Sequence, residues 1–265
     1  MLRIQNLYKS YVAQDNASTR VFDNLNLEVA KGEFISIVGP NGCGKTTLLL
    51  MLAGILEPDS GTIQCHQHPV HALNIGLVFQ NYGSSLLPWL TVKDNIAFPL
   101  RLKRLPRAER DKHVSDLCHR FDCAIPLEAY PYTLSGGQQQ LASLLRGLII
   151  EPELYLFDEP FSSLDYETTL TMLQITADMW NRSRVTTLLV SHDIDEAIFL
   201  AHRIIVLSHK PVRVVGDFRN PLPFPRMLEM IGGSEFASLK KEVLSAYRQE
   251  ISKPDTQSSR GDLYS

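Results

Sequence analysis

The chain has 265 residues, 44% of them hydrophobic, and a net charge of −3. That length and apolar fraction allow one large domain, or one domain with an insertion, around a sizeable core. The near-balanced charge argues against a protein that coats nucleic acid, and no apolar run approaches the roughly 20 residues a membrane span needs.

Residues 2–8 and 25–29 alternate apolar and polar, as half-buried strands do. Phe34-Ile35-Ser36-Ile37-Val38 reads as a buried strand running into a glycine-rich turn. Residues 47–56 read as a helix, stopped by the turn cluster Pro58-Asp59-Ser60-Gly61. Residues 75–79 read as another core strand. From 91 to about 127 the pattern is helical and charged, which marks a helical insertion. Ser135 is well placed to cap a helix over 135–150. Strands over 154–157, 186–190, 204–207 and 212–215 then alternate with helices over 168–180 and 193–201. Alternation of this kind predicts an α/β fold with a mainly parallel sheet. The N-terminus lacks a basic-then-apolar secretion pattern, and four cysteines without a paired framework fit a reducing cytoplasm. Residues 254–265 have the polar composition of a disordered tail.

The turn Gly39-Pro40-Asn41-Gly42-Cys43-Gly44-Lys45-Thr46 fits G-x-x-x-x-G-K-[ST] in full, with a strand before it and a helix after it. Its glycines let backbone N–H groups close around phosphate oxygens, and the helix aims its positive end at them. Lys45 supplies a point charge for the β- and γ-phosphates, and the Thr46 hydroxyl is placed for Mg²⁺. Leu154-Tyr155-Leu156-Phe157-Asp158-Glu159 delivers two carboxylates at the end of an apolar strand, where α/β sheets bind ligands. Asp158 suits Mg²⁺, and Glu159 suits polarising an attacking water.

Further along, Leu134-Ser135-Gly136-Gly137-Gln138 is similar to the signature of ATP-binding-cassette (ABC) ATPases. Gln80, Ser162-Ser163-Leu164-Asp165, His192 and Tyr11 stand where that family has its glutamine loop, aspartate loop, switch histidine and adenine-stacking aromatic. A lone histidine or tyrosine reads as structural; the ordered set carries the resemblance over residues 1–207. It implies a P-loop NTPase of ABC type: a RecA-like core, an antiparallel β subdomain and an inserted helical subdomain. It also implies ATP and Mg²⁺ as ligands. ATP is expected on Tyr11, on the cradle from Gly39 to Thr46, and on Thr47. Mg²⁺ is expected on Thr46, Gln80 and Asp158, and the chemistry on Glu159, His192 and Gln80. Ser135, Gly136, Gly137 and Gln138 are expected to face the nucleotide of a second ATPase subunit, a copy or a sister chain, with Asp165 at the seam. The N–H groups at 135–137 are read as free to bind that anion. The expected domains are 1–220 for the cassette, with the helical subdomain at about 85–150, and 221–253 for a Pro-rich, helical extension.

Ser85-Leu86-Leu87-Pro88-Trp89-Leu90-Thr91-Val92, Pro221-Leu222-Pro223-Phe224-Pro225-Arg226 and Cys43 resemble the nitrate/sulfonate/taurine importer branch. The resemblance implies a permease gripped through residues 80–95, with Leu87 and Trp89 near the contact. A substrate-binding protein would act indirectly and nucleic acid would play no part. The chain would sit peripherally on the cytoplasmic side of the inner membrane. A soluble cassette acting on a non-transport partner is the alternative, and a small-metabolite kinase is disfavoured by the signature and His192. Leu141 departs from the family's usual Arg, an expected loss of a local ion pair, while Arg146 is retained. Cys65, His66, His68 and His71 have metal-like composition, but strand alternation is expected to split His66 from Cys65. The basic run from Arg101 to Arg110 reads as a solvated helix face, and Arg260-Gly261-Asp262 as chance.

Overall fold

The structure is a computed structural model and describes residues 1–12, 18–80 and 85–252. The tail tripeptide at 260–262 and part of the glutamine loop, 81–84, lie outside the described residues. In chain order, β1 (Leu2–Val12) and β2 (Ser18–Val29) form a hairpin, and β3 (Phe34–Val38) leads into α1 (Lys45–Leu52). β4 (Ser60–Cys65) and β5 (His68–Pro69) join that hairpin in a four-stranded antiparallel sheet, ordered β2-β1-β4-β5. After β6 (Ile75–Val78) come α2 (Val92–Ile96), α3 (Phe98–Leu102), α4 (Arg107–Phe121) and α5 (Gly136–Leu148). The chain then runs through β7 (Leu154–Asp158), α6 (Tyr166–Ser183), β8 (Thr186–Val190), α7 (Ile194–Leu200), β9 (Arg203–Leu207), β10 (Val214–Arg219) and α8 (Ser234–Ile251).

The second sheet has the order β10-β9-β3-β8-β7-β6 and is parallel from β9 to β6, with β10 antiparallel at the edge. β3 is buried along its whole length because both of its faces are covered. Ile35 and Ile37 enter a core shared with β1, β2 and α1. Phe34 and Val38 enter a second core with α5, α6, α7 and α8. That period-two division holds the antiparallel sheet against one face of the strand and the helices against the other.

The first hairpin is longer than the alternation indicates: β1 reaches Val12 and β2 begins at Ser18. Register shifts between Ile4 and Leu7, Leu7 and Lys9, and Lys9 and Ser10 break the inward/outward pattern that would have revealed it. α1 stops at Leu52, short of residue 56, and Gly54 follows with φ +69°. α6 starts earlier than residue 168, because Asp165 caps it by accepting from the Thr168 N–H at 2.9 Å.

The Pro-rich segment and α8 belong to the main core. Phe236, Leu239 and Val243 of α8 are buried there, and Lys240 reaches Asp195 of α7 at 2.7 Å. Arg226 is 1% exposed. Its guanidinium donates to the carbonyls of Phe199 at 2.9 Å and Leu222 at 3.2 Å, and lies 4.9 Å from the Phe224 ring centroid. Burial pushes its pKa down to about 10. The side chain thus terminates α7 from outside, satisfying a carbonyl of its last turn. Arg226→Ala should cost on the order of 3 kcal/mol, through two buried carbonyls left without donors and a cavity. Denaturant unfolding checks this; a change under about 0.5 kcal/mol, the level of an ordinary surface substitution, would contradict it.

Candidate active site

α1 begins on Gly44, whose φ is +127°. A Cβ at that position would fall 2.5 Å from Val21 Cγ1, so the β1–β2 hairpin presses on the turn and only glycine fits. The Lys45 ammonium is buried inside the turn and donates to the carbonyls of Gly39 at 2.8 Å and Pro40 at 3.0 Å. Thr46 faces solvent, and its hydroxyl lies 3.4 Å from Asp158 Oδ1. Cys43 is 2% exposed, and burial raises its thiol pKa. Its side chain packs the underside of the turn, so only its backbone is available to a phosphate.

The carboxyl ends of the parallel strands deliver the remaining groups. Asp158 ends β7, and burial lifts its carboxyl above the usual range, against the Thr46 hydroxyl and the Lys45 charge. Glu159 follows in the left-handed region, φ +46°, with its N–H donating to the Val190 carbonyl of β8 at 2.9 Å. That backbone turns the side chain across the strand ends. Glu159 Oε2 accepts from Gln80 Nε2, just beyond β6, at 3.2 Å, and lies 3.1 Å from His192 Nδ1, just beyond β8. Three strand ends therefore meet at one carboxylate oxygen beside the phosphate turn.

The glycine-rich signature is built differently. Ser135 Oγ accepts from the Gln138 N–H at 3.3 Å, and Gln138 Oε1 accepts from the Ser135 N–H at 3.1 Å. This capping box occupies the Ser135 N–H, contrary to the expectation that all three amides are free, and leaves Gly136 and Gly137 as the open first-turn donors. A Cβ at Gly137 would meet Thr168 Cγ2 at 2.8 Å. The Thr168 hydroxyl in turn donates to Asp165 at 2.7 Å. Signature and Asp165 are thus packed into one unit. The hydrogen bonds of residues 135–138 and of Asp165 are local to that unit, whereas Gln80 and His192 are bonded to Glu159, and Thr46 to Asp158, beside the cradle. Tyr11 is 45% exposed on the hairpin whose Val21 supports Gly44, with Lys9 Nζ 5.8 Å from its ring centroid.

Leu141 is buried in the main core, so position 141 offers packing and no site for an ion pair. Arg146 is mostly buried and donates to Ser85 O at 2.7 Å and Ser85 Oγ at 3.1 Å, tying the signature helix to the chain after the glutamine loop. Cys65 points into the core, while His66 turns out of β4 with φ +51° and brings Nδ1 to 3.9 Å from Cys65 Sγ. The two are therefore neighbours, not split across the strand. Among the described residues no three His, Cys, Asp or Glu side chains converge on a metal position. Arg101, Lys103, Arg104 and Arg107 are exposed, and Arg107 lies 3.9 Å from Asp111. A wide surface depression lies at the amino ends of the strands, around Glu33, Trp180 and Arg203, away from the cradle.

Two further polar residues take their roles from burial. Asn95 is fully buried, and its side chain binds the backbone of Leu87, Leu90 and Thr91, folding the loop that leaves Trp89 71% exposed. Glu196 of α7 is 7% exposed and accepts from Ser191 Oγ at 2.6 Å. The one sequence signal for it is a carboxylate in the first turn of a helix capped by Asp193.

Comparison with known proteins identifies the family. The ABC transporter family profile matches residues 22–162. An uncharacterised ABC transporter ATP-binding protein of Methanocaldococcus jannaschii is 36% identical over 258 residues, 95% of this chain and 93% of the relative. The aliphatic sulfonates import ATP-binding protein SsuB of Bacillus subtilis is 35% identical over 91% of this chain and 92% of its own. A dimeric ATP-binding cassette, solved in a post-hydrolysis state with ADP and Pi, superposes with a TM-score of 0.71. It is 28% identical, over 84% of this chain and 100% of that one. The chain belongs to the ABC transporter family. It is an ATP-binding ABC ATPase subunit whose activity is coupled to transport, and among the described residues no helix is long and apolar enough to cross a membrane.

Burial raises the Glu196 pKa from 4.5 to about 7, with Asp193 and Glu159 adding to the rise and the Ser191 hydroxyl and His192 opposing it. Between those values the folded chain keeps a proton that the unfolded chain has released, so stability falls as pH rises through that window. The full effect is on the order of 3 kcal/mol. Glu196→Gln should remove this slope. Unfolding free energies of both proteins at pH 5 and pH 8 check it, and parallel pH dependences would contradict it.

Proposed function

We propose that the chain is the ATP-hydrolysing subunit of an importer. It would energise uptake of a small anionic or zwitterionic solute, such as nitrate, a sulfonate, taurine or a bicarbonate-like anion, through a separate permease. The observation that carries the hydrolytic part is the meeting of Gln80, Glu159 and His192 beside the phosphate turn. Similarity to SsuB, named for aliphatic sulfonate import, supports the transport part.

In this reading Tyr11 stacks on adenine, while Lys45 and the amides from Gly39 to Thr47 hold the phosphates. Thr46, Asp158 and Gln80 offer hydroxyl, carboxylate and amide oxygens, a hard donor set suited to Mg²⁺, and the 3.4 Å between Thr46 and Asp158 puts two of them side by side. Mg²⁺ would neutralise charge on the β- and γ-phosphates. Glu159 polarises the attacking water and takes up its proton. His192 contacts the γ-phosphate. Ser135, Gly136, Gly137 and Gln138 of a second ATPase subunit close over the same nucleotide, with Asp165 at the seam. A head-to-tail pair completes two sites at once, and ATP favours the closed pair because it binds both halves. The exposed Trp89, presented by the Asn95-braced loop, supports a permease contact there with Leu87 at its base. The subunit then sits peripherally on the cytoplasmic face of the inner membrane, with a substrate-binding protein acting through the permease.

Glu159→Gln should bind ATP with near-normal affinity, lose about 100-fold or more in phosphate release, and accumulate as an ATP-bound dimer in light scattering. Near-normal turnover would overturn the assignment. Trp89→Ala should leave ATP affinity unchanged and reduce co-purification with the partner permease. Undiminished co-purification would count against that surface.

A further inference from the structure

His192 is held through its neighbours. Ser191, fully buried, donates its N–H to the Ile37 carbonyl of β3 at 3.3 Å. Its hydroxyl donates to Glu196 Oε2 at 2.6 Å and accepts the Asp193 N–H at 3.0 Å. Asp193 Oδ1 accepts the Asp195 N–H at 2.7 Å and the Glu196 N–H at 3.4 Å. The backbone on both sides of His192 is thereby closed into a loop through one buried carboxylate. The imidazole itself is half exposed and makes its polar contact with Glu159.

A carboxylate is an expensive choice at that position. Glu196 is buried without a cationic partner among its hydrogen bonds, and Asp193 and Glu159 lie near enough to disfavour its charge. Lys240, from α8, is engaged with Asp195 one residue earlier. An apolar residue would pack α7 at less cost, so what the carboxylate supplies is a directed acceptor for Ser191.

We propose that Glu196 is a positioning residue for His192: through Ser191 it fixes the turn that brings the imidazole to Glu159. The inference rests on the reading of His192 as the γ-phosphate contact. A 2.6 Å bond to a buried hydroxyl removes the freedom of the 191–193 backbone to rotate the ring away. Loss of that bond leaves the cradle, and so nucleotide affinity, untouched.

The test is a double-mutant cycle on steady-state ATPase, with ATP affinity measured separately. Glu196→Ala and Ser191→Ala should each lower kcat about tenfold or more, with KM and ATP affinity within about twofold. Glu196→Gln, which keeps an acceptor oxygen, should retain at least about half of the activity. In a His192→Ala background, Glu196→Ala should cost less than about a further twofold, because the two act as one unit. A merely structural role predicts independent, multiplying losses, or a Gln variant as damaged as the Ala variant; either result overturns the proposal. Should Glu196→Ala fail to fold, Ser191→Ala removes the same bond from its other end. Full activity in His192→Ala would overturn the histidine reading itself. An inactive His192→Ala beside a fully active Ser191→Ala would overturn the positioning inference alone.

Discussion

One carboxylate oxygen, Oε2 of Glu159, is where three strands of the parallel sheet meet. Gln80 reaches it from just beyond β6 and His192 from just beyond β8, while Glu159 itself directly follows β7. The meeting requires parallel neighbours in register, since only then do successive carboxyl ends lie side by side. It also requires the left-handed turn at Glu159, pinned by its N–H on Val190, which swings the side chain across the strands. Much of the surrounding structure maintains that register. β3 is sealed on both faces, so the strand bearing the phosphate turn cannot shift without opening two cores.

The signature end is organised by a second constraint. The capping box at Ser135 and Gln138 fixes the start of α5, the Gly137–Thr168 contact sets it against α6, and Thr168 holds Asp165. Groups that would face another subunit's nucleotide are therefore presented by one packed unit, while Arg146 links that unit to Ser85 beyond the glutamine loop. The loop bearing Trp89 and the signature are thereby joined through α5. Opposite them, the C-terminal segment holds α7 through Arg226 and Lys240, so the helix that carries the histidine turn is braced from outside.

The phosphate turn, the acidic strand end and the signature were legible in the sequence because their conformations are set locally, by glycines, a cap and an apolar strand. The extent of β1 and β2 was not, since bulges at Leu7 and Lys9 scramble the alternation. Polar residues whose meaning comes from burial were also out of reach. Asn95, Ser191, Glu196 and Arg226 look like ordinary surface chemistry until packing encloses them. Leu141 is the converse: an apparent loss of charge at a usually basic position is a residue that packs into the core. The Ser135 amide shows the limit of reading a helix start from sequence, because the partner that satisfies it is a side chain three residues on.

The central claim is that one chain holds two complementary halves of different sites. Mixing two disabled chains tests it most directly. Lys45→Ala removes the phosphate charge from one chain, and Ser135→Arg blocks the signature of the other. Each alone should be inactive. Together, half of the pairs formed at random would carry one intact site, so the account predicts recovery of up to roughly a quarter of wild-type ATPase activity. No recovery, with mixed pairs shown to form, would mean that the signature serves its own chain's nucleotide and would contradict the account.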